Sequence, residues 1–388
     1  MNINNFPVNL NLTPKNKFNF VNAHYFFSQK CASFYYNGRN AVWNGMKLLN
    51  LTSSQNVLVP SYHCGVEIDA VLKAGIQVKF YKIKSDTSAD LEDIKDKVDA
   101  DTRAIFIIHY FGFPQPIQEV KKICEKHKLF LIEDCAHALF SCSEGKQLGT
   151  FGDISIFSIK KSLPVPNGGA LVVNIESLKT GTRVSISPVA ILRSLKDIVR
   201  LLLERLKSRY NVIYFLINAI VVKPLHSLSM VSRCFTRNKY FCADDYRVFN
   251  VSTATMGMSS YTERALKRID INEVIEKRRI NYMSVYNEIK DWKWVKALFK
   301  KLPDMVCPLF LPILVERRDE LVQELLKRGI EPFIFGKTPH ALMNINEFPD
   351  SLLLSKQNLC LPVHTDMTKN KIEYLMRVLK ETLNTINK

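Results

Sequence analysis

The sequence predicts an α/β protein: a large domain with a mostly parallel central sheet covered by helices on both faces, followed by a smaller C-terminal α/β domain. Three observations carry this. Between residues 56 and about 175 short β-rich runs alternate with helical patterns, as they do where parallel strands are joined by crossover helices. The strand runs are apolar on both faces instead of alternating, as strands buried between two helical layers must be. The 388 residues, 47% hydrophobic and 23% charged, also suffice for one large or two moderate domains with a sizeable core.

Taken in order, NVLVPSYH (56–63) reads as a strand that leaves the sheet in a loop, and GVEIDAVLKAG (65–75) as a helix stopped by Gly75. QVKFYKI (77–83) is the next strand, DLEDIKDKV (90–98) a short helix, and RAIFIIHYF (103–111) a strand apolar almost throughout. PIQEVKKICEKHK (116–128) is a helix with its acid early and its bases late, the arrangement the helix dipole favours. LFLIED (129–134) is a strand ending in two carboxylates, and GDISIFSIKKSLPVPNGGALVVN (152–174) is a strand, a polar loop with two lysines, a glycine pair and a further strand. Residues 178–240 break the alternation and read as mostly helical; from about 243 to 290 helical periodicity continues. VCPLFLPILV (306–315), LVQELLKRGI (321–330) and TKNKIEYLMRVLKETL (368–383) then supply the smaller domain, so the expected division is 1–240, with a basic helical insert near 190–240, and 241–388.

Several classes of protein drop out. The stretch MNINNFPVNLNLTPKNKFNF lacks the basic start, apolar core and small-residue cleavage site of a secretory signal. The longest uncharged apolar stretch, NVIYFLINAIVV (211–222), is shorter than the roughly 20 residues of a spanning helix. Nine scattered cysteines without a C-x-x-C pair predict neither a disulfide framework nor a zinc site. No metal is expected, and the cytoplasm is the simplest setting. The formal charge of +17 is uneven: residues 191–240 hold ten Lys or Arg against Asp197 and Glu204 alone. Such a field draws anions, whether a phosphate-bearing substrate, nucleic acid or an acidic membrane surface. Within it LKDIVRLLLERLKSRYNVIYFLINAIVV (195–222) reads either as an insert packed on the body or as an amphipathic helix lying on anionic lipid.

In doubly wound sheets ligands sit beyond the carboxyl ends of the strands. LFLIEDCAHALFS (129–141) puts Glu133, Asp134 and His137 at one such end. FSIKKSLPVPNGG (157–169) puts Lys160 and Lys161 at another, after Ser158 and before Gly168 and Gly169, a pattern suited to holding a lysine amine beside a bound phosphate. YYNGRNAVWNGMKLLNL (35–51) places Gly38, Arg39 and Asn40 at the apparent start of a helix, where free amides and the helix dipole attract anions; Asn-Gly equally marks a plain turn.

Six stretches in order resemble a known family: NGRNAVWNGMKLL (37–49), VLVPSYHCGVEIDAVLKAG (57–75), AIFIIHYFGFPQPIQEVKKICEKHKLFLIEDCAHA (104–138), GTFGDISIFSIKKSLPVPNGGALVV (149–173), MGMSSYTERALKRID (256–270) and LLLSKQNLCLPVHTDMT (352–368). They are similar to the DegT/DnrJ/EryC1/StrS group of sugar aminotransferases, fold-type I enzymes dependent on pyridoxal 5'-phosphate. The resemblance covers the chain from about residue 35 onward. It implies that Lys161, or its neighbour Lys160, carries the cofactor, with Lys161 favoured by the form of the loop. It also implies that Asp134 pairs with the pyridine nitrogen, that His137 lies on the side of the ring hydroxyl, and that Ser158 with Gly38, Arg39 and Asn40 holds the phosphate. The large domain, 1–240, is then the cofactor-binding one.

The chain departs from the family at four points. Gly-Arg-Asn stands at 38–40 where many relatives have Gly-Thr-Ala. Cys64 occupies the place of the aromatic residue that stacks on the cofactor, so that either Tyr62 or His63 fills it or the ring is less tightly sandwiched. Of an Asn-Tyr-Arg-Met-Ser run that reaches the partner subunit only Gly257-Met258-Ser259 remains, and the basic insert exceeds a minimal member. The resemblance implies an amino group moved from an amino-acid donor, glutamate, to a nucleotide-linked keto sugar in surface polysaccharide or amino-sugar biosynthesis. A homodimer is expected, with no nucleic acid as partner and with peripheral contact at the inner membrane surface through 191–240 as an alternative use of the basic segment. The competing readings are a sugar dehydratase of the same fold, whose members carry histidine where the lysine stands, and a non-catalytic relative that binds membrane surfaces.

Overall fold

The computed structural model describes residues 32–178 and 249–387. The basic segment 191–240, its apolar stretch 211–222 and the expected boundary at 240/241 lie outside the described residues. In chain order the first part contains β1 (Ala32–Tyr35), α1 (Gly38–Leu48), β2 (Asn56–Pro60), α2 (Val66–Lys73), β3 (Gln77–Tyr81), α3 (Leu91–Lys97) and β4 (Thr102–Ile108). It continues with α4 (Ile117–His127), β5 (Phe130–Asp134), a ribbon of β6 (Cys142–Ser143) and β7 (Lys146–Gln147), then β8 (Ile154–Ser158), α5 (Ile159–Ser162) and β9 (Gly169–Val173). Beyond residue 249 come α6 (Ser260–Leu266), α7 (Ile271–Ile289), β10 (Lys296–Ala297), β11 (Phe310–Leu314), α8 (Arg318–Lys327), α9 (Pro349–Gln357), β12 (Asn358–Pro362) and α10 (Lys369–Ile386).

The large sheet has seven strands in the order β1-β9-β8-β5-β4-β2-β3. Its pairings from β3 through β2, β4 and β5 to β8 are parallel, and β9 runs antiparallel to both β8 and β1. The expected mostly parallel sheet is therefore present, with an antiparallel edge. Apolar runs such as NVLVP, ISIFS and GALVV are buried at every position, as strands covered on both sides require. Helix α1 crosses β8 and β9, and α4 packs on β5. At Gly45 of α1 a β-carbon would stand 3.0 Å from Ile154 and 3.2 Å from Leu171, so the bare glycine lets this helix lie close on the sheet.

The smaller sheet, β10-β11-β12, is antiparallel, and α10 turns Leu375, Met376, Val378, Leu379 and Leu383 inward at helical spacing. Residues 249–258, which the sequence reads as part of a helical stretch, instead run along the edge of the large sheet. Tyr35 bridges Gly257, and the Tyr36 amide donates to the Met256 carbonyl at 2.8 Å. Buried asparagines of α1 fasten the segment: Asn40 donates to the Thr253 carbonyl and Asn44 to that of Ala254. Side-chain amides satisfying buried carbonyls override local helical spacing here. Among the described residues no helix is long and apolar enough to cross a membrane.

Candidate cofactor site

Strands β5 and β8 are adjacent and parallel, with Asp134 opposite Ile156, so their carboxyl ends open side by side. Successive strand residues point to opposite faces, and this separates the two acids at the end of β5. Glu133 is fully buried and accepts the backbone amides of Gly149, Phe151 and Gly152 at 2.8, 2.7 and 2.6 Å. It also takes His109 Nε2 at 3.1 Å; since His109 Nδ1 accepts the Gln115 amide, the hydrogen of that ring lies on Nε2. Burial raises the proton affinity of Glu133, but the bond from His109 and the amides of Gly152 and Gly149 outweigh it, and its carboxyl lies below the ordinary value. Glu133 clips the loop before β8 to the end of β5. His109, Glu133 and Cys135 lie close enough to hold a metal, yet the His109 nitrogens and both Glu133 oxygens are already engaged within the protein.

Asp134, 7% exposed, occupies the other face. Its Oδ1 accepts the Ala136 amide at 2.8 Å. Burial drives its carboxyl up to about 6, with Glu67 adding to the rise and the Lys161 charge opposing it. His137 follows on the turn after β5 and is buried. Its Nε2 lies 3.1 Å from Lys161 Nζ and its Nδ1 accepts the Phe111 amide at 3.4 Å. Burial first, and the Lys161 charge second, hold its pKa well below the ordinary 6.5.

Lys161 stands on α5, in the connection that reverses the chain from β8 into β9. Its side chain is exposed, as is that of Lys160, but it is Lys161 that makes the bond to His137. The reversal needs Gly168, at φ +132°, and Gly169, where a β-carbon would stand 2.2 Å from the Asn37 carbonyl carbon. This close approach seats the start of α1 on the ends of β8 and β9. There Asn37 caps the helix by accepting the Asn40 amide at 3.1 Å, so Asn-Gly opens a helix instead of making a plain turn. A β-carbon on Gly38 would stand 3.5 Å from Ser158 Cβ and 3.9 Å from its Oγ. The helix N-terminus and the Ser158 hydroxyl therefore share one corner, next to α5.

The structure thus brings Asp134, His137 and Lys161 together and sets Gly38, the residue before Arg39, beside Ser158. The Asn40 side chain is committed elsewhere, to Thr253. His63 is buried with its ring stacked on Phe80 at 5.5 Å, and Tyr62 turns toward the C-terminal part, donating to the Phe335 carbonyl at 2.9 Å. Cys64 stays near the cluster: its thiol donates to Glu67, and burial, then the Glu67 charge, push its pKa up while Lys161 pulls it down. Sequence reasoning missed Glu67, a carboxylate only 4% exposed, which reads as ordinary acid in a first helical turn. It also missed Arg278, whose buried guanidinium ties α7 to the Ser162 carbonyl and to those of Pro308 and Leu309, and Phe335, whose ring meets His137 at 4.9 Å.

The model of the DegT/DnrJ/EryC1/StrS aminotransferase family matches residues 14–193. GDP-perosamine synthase of Vibrio cholerae is 33% identical over 152 residues, which is 38% of this chain and 41% of that protein. The chain thus spans about two-fifths of the length of the first curated relatives it matches. A longer alignment, 25% identical over 82% of this chain and 77% of the relative, joins it to UDP-4-amino-4,6-dideoxy-N-acetyl-beta-L-altrosamine transaminase of Campylobacter jejuni. In fold it matches the aminotransferase from Psychrobacter cryohalolentis, with a TM-score of 0.65 at 18% identity over 94% of this chain and 90% of that one. Helicobacter pylori PseC, an aminotransferase involved in the biosynthesis of pseudoaminic acid, gives 0.62 at 18% identity over 91% and 87%.

Proposed function

We propose that the chain, whose residues 14–193 match the model of the DegT/DnrJ/EryC1/StrS aminotransferase family, is a pyridoxal phosphate-dependent aminotransferase. Its substrate in this reading is a nucleotide-linked keto sugar and its amino donor is glutamate. The observation that carries the proposal is the meeting of Asp134, His137 and Lys161 at the adjoining ends of β5 and β8.

The residues fit that cofactor. Ser158 and the first turn of α1 at Gly38, Arg39 and Asn40 form an anion corner one short helix away from Lys161, and backbone amides at a helix start favour phosphate. Asp134 is the one acid of the β5 end not engaged by the β8 loop, and it would hold the proton of the pyridine nitrogen. When bound, pyridoxal phosphate supplies an aldehyde that captures amines and a ring that withdraws electrons from the neighbouring carbon. Lys161 Nζ is the base of this reading: as a neutral amine it takes a proton from one carbon and returns it to another. His137 holds that amine from the side. The strong positive charge of the chain, +17, suits a nucleotide diphosphate.

The test is a screen of nucleotide-linked keto sugars with glutamate and added pyridoxal phosphate, read by product mass. Amination by the wild type, lost in Lys161→Ala and partly kept in Lys160→Ala, is the expected result; amination by Lys161→Ala sinks the assignment. A lysine at this position disfavours the dehydratase reading. The same proposal includes a homodimer working in the cytoplasm, checked by sedimentation at the dilution of the activity assay.

A further inference from the structure

His137 has two neutral forms, with the hydrogen on Nδ1 or on Nε2, and its surroundings accept only one. The Phe111 amide is directed at Nδ1. A backbone N–H only donates, so Nδ1 must accept and the ring hydrogen lies on Nε2. That nitrogen is 3.1 Å from Lys161 Nζ. An Nε2–H can donate only to a nitrogen with a lone pair, which an ammonium lacks. An Nε2–H so placed is a partner for the uncharged amine, the form that attacks an aldehyde, and a poor neighbour for the ammonium whose charge acts on Asp134 and His137. Burial keeps the His137 ring itself neutral.

Two phenylalanines hold the ring in this attitude. Phe111 stacks on it at 5.8 Å and 23°, and Phe335 meets it edge-on at 4.9 Å and 76°. Phe335 belongs to the C-terminal part of the chain and is itself held firmly. Its carbonyl accepts the Tyr62 hydroxyl at 2.9 Å, and its ring lies edge-on to Tyr62, Tyr110 and Phe111 at 5.2, 5.8 and 5.8 Å. The next residue, Gly336, has φ +65°, and a β-carbon there would stand 2.4 Å from the Tyr62 ring. Only glycine lets the strap come this close.

We propose that Phe335 is a positioning residue for the reaction: together with Phe111 it holds His137 as the Nε2–H donor that presents Lys161 as a free amine. The seating of the C-terminal part on the large sheet is thereby coupled to the chemistry at Lys161. The inference rests on Lys161 being the amine that takes the cofactor, but the proton position on His137 is measurable without cofactor.

The experiment uses full-length, cofactor-free protein labelled with 15N-histidine, with His137 assigned by its loss in His137→Gln. Long-range proton–nitrogen spectra of the wild type should show the hydrogen on Nε2, and Phe335→Ala should move the ring toward a mixture of the two forms. Uptake of pyridoxal phosphate should slow roughly tenfold in Phe335→Ala, the size of a typical coupling between touching residues. In a His137→Gln background the same substitution should add little. Phe335→Leu, which keeps most of the apolar volume, carries the test if the alanine variant fails to fold. A hydrogen on Nδ1 in the wild type, unchanged His137 nitrogens in a folded variant, or equal slowing in both backgrounds overturns the proposal. If the wild type takes up no cofactor at Lys161, the proposed function fails, while the His137 spectra still decide whether Phe335 sets its tautomer.

Discussion

Replacing Asp134 with Asn should stabilise the cofactor-free protein near neutral pH while removing the proposed transamination. Burial holds this carboxyl at about 6 instead of the ordinary 3.8. At about 1.4 kcal/mol per tenfold change, that difference corresponds to about 3 kcal/mol. The sign follows from proton counting. Well below pH 3.8 the group is protonated in both folded and unfolded chains and the burial penalty is absent. As pH rises through 6 the folded protein must ionise a buried acid, and that stability is lost. The substituted amide stays neutral throughout, and its oxygen can still accept the Ala136 amide that Asp134 Oδ1 now accepts. The variant should match the wild type at about pH 3 and exceed it by up to about 3 kcal/mol at pH 8. Urea midpoints of both apo-proteins at pH 5 and pH 8 measure the difference, and the subtraction cancels the titrating groups that do not act on Asp134. A wild-type-to-variant gap that does not change between those pH values would refute the burial argument; near-normal turnover in the variant would refute the assignment of Asp134 to the pyridine nitrogen.

Three other outcomes are expected. Glu67→Gln removes a negative charge and a hydrogen-bond acceptor that raise the Cys64 thiol, so alkylation of Cys64 by iodoacetamide at pH 8, read by peptide mass, should speed up by about tenfold for each tenfold gain in acidity; an unchanged rate would mean that Glu67 does not govern this thiol. Gly169→Ala drives a β-carbon into the Asn37 backbone and should cost at least about 2 kcal/mol, while loosening the anion corner enough to weaken inorganic phosphate binding; unaltered thermal stability would show that the approach is not close. For the basic segment, co-sedimentation with anionic vesicles that is lost in high salt and in a variant with Arg200, Arg205 and Arg209 neutralised is the outcome of a membrane-surface role, and absence of binding at low salt removes that role.

Most of the large sheet was legible because parallel strands leave a redundant trace: apolar runs, crossover helices and turn residues all agree. The exceptions are physical. ASFY of β1 is four residues long and has no local reason to be a strand; it exists because Ala32 to Tyr35 pair with Val172 to Gly169. The apolar run GALVV reads the same in either direction, so the antiparallel return of β9 had to come from the structure. Asn40 and Asn44 look like ordinary helix residues, yet their amides hold 253–254 on the sheet edge. Within the candidate site, the placing of Asp134, His137, Ser158 and Lys161 at or just after strand ends was legible. Phe335 was not, because an aromatic residue in FIFG announces only that it is apolar, and its partner His137 lies far away in the chain.

The acidic pair at the end of β5 shows why neighbours in sequence need not share a role. Glu133 and Asp134 have the same chemistry and comparable burial, yet their carboxyls shift in opposite directions. What differs is the supply of donors. Three amides and His109 Nε2 converge on Glu133, and hydrogen bonds to a charged form outweigh desolvation when they are this many. Asp134 accepts the amide of Ala136 and faces Glu67 and Lys161 across the opening, so desolvation wins. A carboxylate already saturated by donors has nothing left to offer a ligand. One held short of donors gains most when a cation arrives, and a protonated pyridine nitrogen is such a cation. On the proposed function the strand end needs both acids: Glu133 fixes the β8 loop that leads to Ser158 and Lys161, and its rigidity leaves Asp134 available to a cationic ring nitrogen.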